Sequence, residues 1–217
     1  MIGFYNYTVI LTYISLLIST VGIFLAPFHP AAALFCLLMS GVCDMFDGKI
    51  ARTRKQSTEE EKRFGIQLDS LCDIVCFGVL PAAIGVSPLY ILISPFGILT
   101  AVIAGLYILC ALIRLAYFNV TEETRQSTET GRRTHYLGVP VTTAAMVFPL
   151  CYVVSHYLLR LNGFLASLSF WIYPAFLLIT AVAFILPVKV KKPHGIGMVI
   201  MGVIGLAEIA LLIPFLM

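Results

Sequence analysis

The chain has 217 residues, of which 60% are hydrophobic and 12% charged, with a formal net charge of +3. A soluble globular domain carries about twice that charged fraction, so the composition excludes a water-soluble enzyme and describes an integral membrane protein. No nucleic-acid motif accompanies the small positive balance, and no nucleic-acid partner is expected.

A transmembrane helix needs ~20 apolar residues at about 1.5 Å each. Seven segments approach that length: 6–26, 30–51, 66–86, 97–117, 139–159, 165–187 and 195–216. The first has no charged stretch ahead of it and no small-residue cleavage site near residue 26, which predicts a retained span rather than a signal peptide. Residues 83–96, interrupted by Pro88 and Pro95, predict a short re-entrant helix or an extension of the third span. The expected fold is all-α: a polytopic transmembrane helix bundle with a six-helix core and one or two extra helices, forming a single domain over 1–217. Gly202 and Gly205 predict a packing notch in the last span. The six cysteines lie in apolar segments without C-x-x-C spacing and read as ordinary buried residues.

The connections carry the orientation signal. Arg52, Arg54, Lys55, Lys62 and Arg63 lie in 52–64, Arg125, Arg132 and Arg133 in 118–137, and Lys189, Lys191 and Lys192 in 187–194. The alternate connections hold only Arg160. The positive-inside rule therefore predicts a cell-membrane protein with these three loops and the N-terminus in the cytoplasm. Seven spans put the C-terminus outside.

Asp44, Asp47, Asp69 and Asp73 are the only aspartates of the chain. The first two are three residues apart at the end of the second segment, and the last two are four apart at the start of the third. Each pair shares a helix face, and the loop 52–64 makes the two helix ends neighbours. Carboxylates in a span cost several kcal/mol, roughly, and clustered anions repel. Nearby cations are few: Lys49, Arg52 and Arg114. One solvated helix-end aspartate needs no special account, but four together call for a cation. All-oxygen donors suit Mg²⁺, Mn²⁺ or Ca²⁺ and disfavour zinc, and four carboxylates could hold two ions about 4 Å apart. The site is thus expected at the cytoplasmic edge of the bilayer. Gly48, Gly65 and Ala51 leave room for a ligand, and Arg52 can contact phosphate.

The segment Asp44-Met-Phe-Asp47-Gly48-Lys-Ile-Ala51-Arg52, followed by Gly65-x-x-x-Asp69-x-x-x-Asp73, resembles the signature of the CDP-alcohol phosphotransferases at all eight hallmark positions. One departure is a longer spacer, 53–64, with the acidic run Glu59-Glu60-Glu61. The resemblance implies transfer of a substituted phosphate from a CDP-linked donor to an alcohol, with release of CMP. It implies Asp44, Asp47 and Asp69 as metal ligands and Asp73 as both ligand and general base. Gly48, Ala51, Arg52 and Gly65 would border the CDP-lipid, with Thr58, Asn6 and Thr8 as further nucleotide contacts. The cofactor would be Mg²⁺ or Mn²⁺, as two ions, with Ca²⁺ inhibiting or substituting. A homodimer is also implied.

Three further segments, Asp73-Ile-Val-Cys-Phe77-Gly78, Arg114-Leu-Ala-Tyr-Phe118-Asn119 and Gly138-Val-Pro140, resemble the phosphatidylserine synthase branch. That implies CDP-diacylglycerol as donor and L-serine as acceptor, with Arg114 facing the serine carboxylate and Asn119 nearby. A plainer reading has Arg114 snorkelling to headgroups. Glycerol 3-phosphate and inositol phosphate remain alternative acceptors, since the basic stretch 125–133 offers cationic contacts. A divalent-cation transporter is the alternative from another class. The clustering of the aspartates at one membrane edge, with Glu208 the only other acid within a span, argues against a path through the bilayer.

Overall fold

The computed structural model describes residues 3–51, 53–54, 58–87, 97–128, 135–160, 164–191 and 196–216. No water reaches backbone groups in the bilayer core, so spanning segments form helices that satisfy themselves. The helices are α1 (Ile10–Leu25), α2 (Pro30–Ala51), α3 (Glu59–Asp73), α4 (Leu80–Gly85), α5 (Gly97–Thr128), α6 (Ala144–Leu159), α7 (Phe164–Ile185) and α8 (Ile196–Leu212). α3 runs through a π-helical stretch, Ile74–Val79, into α4, so Glu59–Gly85 is one span. Among the described residues six stretches are long and apolar enough to cross a membrane: Tyr7–Leu25, Pro30–Gly48, Glu59–Gly85, Gly97–Arg125, Val141–Leu159 and Leu168–Ile185. The last apolar helix, Ile200–Phe215, is shorter. This is the expected bundle, a six-helix core plus one. The proposed re-entrant stretch falls largely on 88–96, outside the described residues.

Helices in lipid associate through close packing and polar contacts rather than hydrophobic exclusion. α1 and α2 show both. A Cβ on Gly22 would stand 2.8 Å from Cys36 Cβ, so only glycine permits this approach. Across the same seam Ser19 and Ser40 share a 2.7 Å hydrogen bond, and Ser40 Oγ donates to Ser15 O at 3.2 Å. The core is completed by Leu34, Leu37, Leu80, Ile84 and Leu177 and by buried Tyr107, Phe148, Tyr173 and Phe184. Leu17, Phe24, Ile98 and Leu206 are largely exposed, as residues facing lipid should be. Gly202 and Gly205 have nothing within 4 Å of an added Cβ, so the expected notch has no partner among the described residues.

Three features depart from the sequence reading. α3 starts at Glu59, about two turns before its apolar residues, because Thr58 and Glu61 form a capping box. The acidic run is thus the first turn of a helix, where it complements the helix dipole. α5 continues through the supposed loop to Thr128, with Glu122 and Arg125 paired at 2.6 Å. Finally, β1 (His135–Leu137) and β2 (Lys189–Lys191) form an antiparallel ribbon, with Tyr136 opposite Val190, in a chain expected to be all helix. The ribbon joins two of the basic connections. Arg63 lies 3.6 Å from Glu123, bringing the beginning of α3 to the end of α5. All three basic connections therefore share one end of the bundle.

Candidate active site

The aspartates meet at that end. Asp44 and Asp47 project from the last turns of α2, and Asp69 from α3. One carboxylate oxygen of each lies within 4.8 Å of the others, and all three side chains are half-buried. The Asp47 and Asp69 carboxyl groups lie close enough to interact directly. Two carboxyls in contact require a shared proton or a cation in its place. Among the described residues no Lys or Arg is ion-paired with any of the aspartates. Hard oxygen donors, mutual repulsion and the lack of a fixed positive partner among the described residues all fit a divalent cation. Asp73, one turn beyond Asp69, stands outside the tight group but interacts electrostatically with all three members.

The glycines differ in use. Gly65, one turn before Asp69, has nothing within 4 Å of an added Cβ. It opens a space beside the carboxylates rather than admitting a neighbouring helix. Gly48 and Ala51 close α2 directly after Asp47, while Arg52 lies outside the described residues.

The N-terminal segment lies over the same end. The Phe4 and Phe64 rings are 5.6 Å apart, and Tyr7 OH is 3.0 Å from Thr53 Oγ1. Between these contacts Asn6 caps a short 3-10 turn, accepting from the Thr8 backbone N–H at 3.2 Å and from the Thr8 hydroxyl. Asn6 and Thr8 are therefore at the expected end, bonded to each other. Thr58 accepts the Glu61 N–H at 3.2 Å, and Glu61 accepts the Thr58 N–H at 3.0 Å. Its evident work is to cap α3.

The two residues expected around the acceptor sit on α5. Asn119 Nδ2 donates to Ser70 Oγ at 2.9 Å, and that hydroxyl donates back to Asn119 Oδ1 at 3.1 Å. Asn119 is thereby tied to the residue that follows Asp69 on α3. Arg114 is buried at 6% exposure, donates from Nε to Val139 O at 3.2 Å and lies 5.4 Å over the Phe118 ring. It does not reach out to headgroups. Gly78 packs on Ala111 and Ser70 bonds Asn119, so α3 and its continuation run antiparallel to α5, and Arg114 lies between these two contacts along α5. Gly138 makes the burial of Arg114 possible. Its φ of +80° suits glycine, and a Cβ there would lie 3.2 Å from Arg114 Nε and 3.0 Å from Phe184 O.

Comparison with known proteins gives this arrangement a family. The family model for CDP-alcohol phosphatidyltransferase matches residues 5–186. The chain belongs to the CDP-alcohol phosphatidyltransferase family. A CDP-diacylglycerol–serine O-phosphatidyltransferase of Saccharomyces cerevisiae is 36% identical over 130 residues, 59% of this chain and 44% of the yeast protein. One of Helicobacter pylori is 30% identical over 144 residues, 65% of this chain and 55% of that protein. An archaetidylserine synthase of Methanothermobacter thermautotrophicus is 30% identical over 186 residues, 86% of this chain and 66% of its own length. The chain spans about half the length of the first two relatives. No solved structure matches it.

Within the family frame, sequence reasoning missed Ser70, which orients Asn119, and the Gly138–Val139 backbone that holds Arg114. Ser70 had a weak signal, a hydroxyl between two aspartates. The Val139 carbonyl had none, because a backbone acceptor leaves no trace in residue type.

Proposed function

We propose that this protein transfers a phosphatidyl group from CDP-diacylglycerol to L-serine, releasing CMP and phosphatidylserine. The observation that carries the reading is the convergence of Asp44, Asp47 and Asp69 within 4.8 Å, with Asp73 one turn away. The names of the relatives support serine as the acceptor. In the reaction the serine hydroxyl oxygen attacks the phosphorus that bears diacylglycerol. The bond from that phosphorus to the bridging oxygen breaks, and CMP departs with the electron pair. Asp73 takes the hydroxyl proton. Asp44, Asp47 and Asp69, with Asp73 at the margin, would hold Mg²⁺ or Mn²⁺, as one or two ions. Such ions neutralise a pyrophosphate and stabilise a departing phosphate.

The chain's own residues do the remaining work. The open face at Gly65 and the end of α2 at Gly48, Ala51 and Arg52 would receive the CDP moiety, with Asn6, Thr8 and Thr58 at its border. Arg114 supplies a buried positive charge for the serine carboxylate, and Asn119 a polar contact close to Asp69. The basic end of the bundle is assigned to the cytoplasm of a cell membrane, together with the N-terminus. The working unit is assigned as a homodimer.

The test is CMP release by purified protein from CDP-diacylglycerol or an ether-linked CDP-lipid, with serine, glycerol 3-phosphate and inositol phosphate offered separately. Release should need serine, stop with EDTA and return with Mg²⁺ or Mn²⁺. Release with another acceptor alone would replace serine but keep the reaction class.

A further inference from the structure

The helix that carries Asp69 and Asp73 changes character at Asp73. From Ile74 to Val79 it is π-helical, and the Leu80 N–H bonds back to Val75 O, five residues earlier. The cause is legible in the sequence. Pro81 has no N–H, so the α-helical bond it would make to Phe77 O is absent, and its ring crowds that carbonyl. A buried carbonyl left without a donor costs about as much as a lost hydrogen bond. Tyr107 on α5 supplies the donor: its hydroxyl bonds Phe77 O at 2.5 Å. The Tyr107 ring is fully buried, with ring centroids of Phe148 and Phe184 each 5.5 Å away. A turn further on, Tyr173 OH on α7 donates to Pro81 O at 3.0 Å. Tyrosines from two other helices thus hold one carbonyl within the bulge and one just beyond it. The extra residue in the turn offsets Asp69 and Asp73 above it from the fully buried Leu80 and Ile84 below, and such bulges recur at functional sites.

We propose that Tyr107 is a positioning residue for Asp73. Its hydroxyl holds the π-turn that sets the direction of the Asp73 carboxyl against the Asp44–Asp47–Asp69 group. The proposal rests on the reading of Asp73 as the base. Tyr107 touches no reacting atom and acts through the backbone at Phe77.

The experiment uses the full chain in lipid nanodiscs with Tyr107→Phe, Pro81→Ala and the double variant. Tyr107→Phe keeps the ring and removes the donor. It should lower kcat for CMP release about tenfold or more, leave KM for the CDP-lipid within about twofold, and weaken Mn²⁺ binding about tenfold. Pro81→Ala gives Phe77 O an N–H within the helix and lets the turn tighten. It should keep or raise Tm while lowering kcat, a split that a merely structural role would not produce. In that background Tyr107→Phe should change kcat little. Full kcat in Tyr107→Phe, or a loss of kcat matched by the fraction unfolded, would overturn the proposal. If the parent protein releases no CMP with any acceptor, the functional reading fails by itself. The positioning claim is then decided by Mn²⁺ affinity, and an unchanged affinity in Tyr107→Phe sinks it.

Discussion

The four aspartates are not equivalent, and their difference is a matter of one helical turn. Asp44, Asp47 and Asp69 crowd within 4.8 Å, while Asp73 stands beside them. That separation suits a division of work in which three carboxylates chiefly hold positive charge and the fourth, at the margin of that group, also takes a proton. Asp73→Asn keeps the shape and removes the basic oxygen. It should lower turnover by about 10²- to 10⁴-fold while CDP-lipid binding, followed by equilibrium dialysis, persists. Asp44→Asn should instead raise the Mg²⁺ concentration needed for half-maximal activity. Near-full activity in Asp73→Asn would reassign the base. The spacing of three and four residues made each pair legible in the sequence. The unequal distances were not, because they depend on how α2 and α3 cross.

At the scale of elements, the end of α3 nearest the site shows how local chemistry extends a helix past its apolar part. Thr58 and Glu61 satisfy each other's backbone N–H groups, and Arg54 pairs with Glu61 at 2.8 Å. Thr58→Ala should destabilise the protein by about 1 kcal/mol, read as a lower Tm, while Thr58→Asn should restore it. A raised KM for the CDP-lipid that Thr58→Asn does not relieve, with Tm unchanged, would favour the nucleotide contact instead. The S/T-x-x-E pattern is present in the chain, yet 59–63 reads as a loop because five consecutive charged residues carry no apolar signal. The ribbon between His135–Leu137 and Lys189–Lys191 was harder to foresee. Each strand has three residues and gains meaning only from a partner more than fifty residues away.

At the scale of the molecule, the ribbon and the Arg63–Glu123 contact gather the basic connections, the capping box and the aspartates at one end. A single topology then follows if that end faces the cytoplasm. Cysteines placed at exposed Glu123 and Lys189 should react with an impermeant thiol reagent only from the cytoplasmic side. One placed at Phe28, 77% exposed in the opposite turn, should react only from outside. The native cysteines are all buried or half-buried and unpaired, which keeps the background low. Reversed labelling would overturn the orientation.

Some properties of this protein are local along the chain, and the sequence alone determined those. Apolar run length and the cost of unpaired backbone in lipid determined the helical bundle and the approximate span limits. Charge cost and side-chain periodicity marked the aspartates as a candidate cation site from residue type and spacing alone. The tertiary structure decided what depends on distances between helices. It separated Asp73 from the other three and buried Arg114 on the Val139 carbonyl instead of releasing it to headgroups. It also supplied Phe77 O with a donor from Tyr107, thirty residues away. In each case the partner is a backbone atom or a side chain on another helix, whose position is set only when the bundle packs.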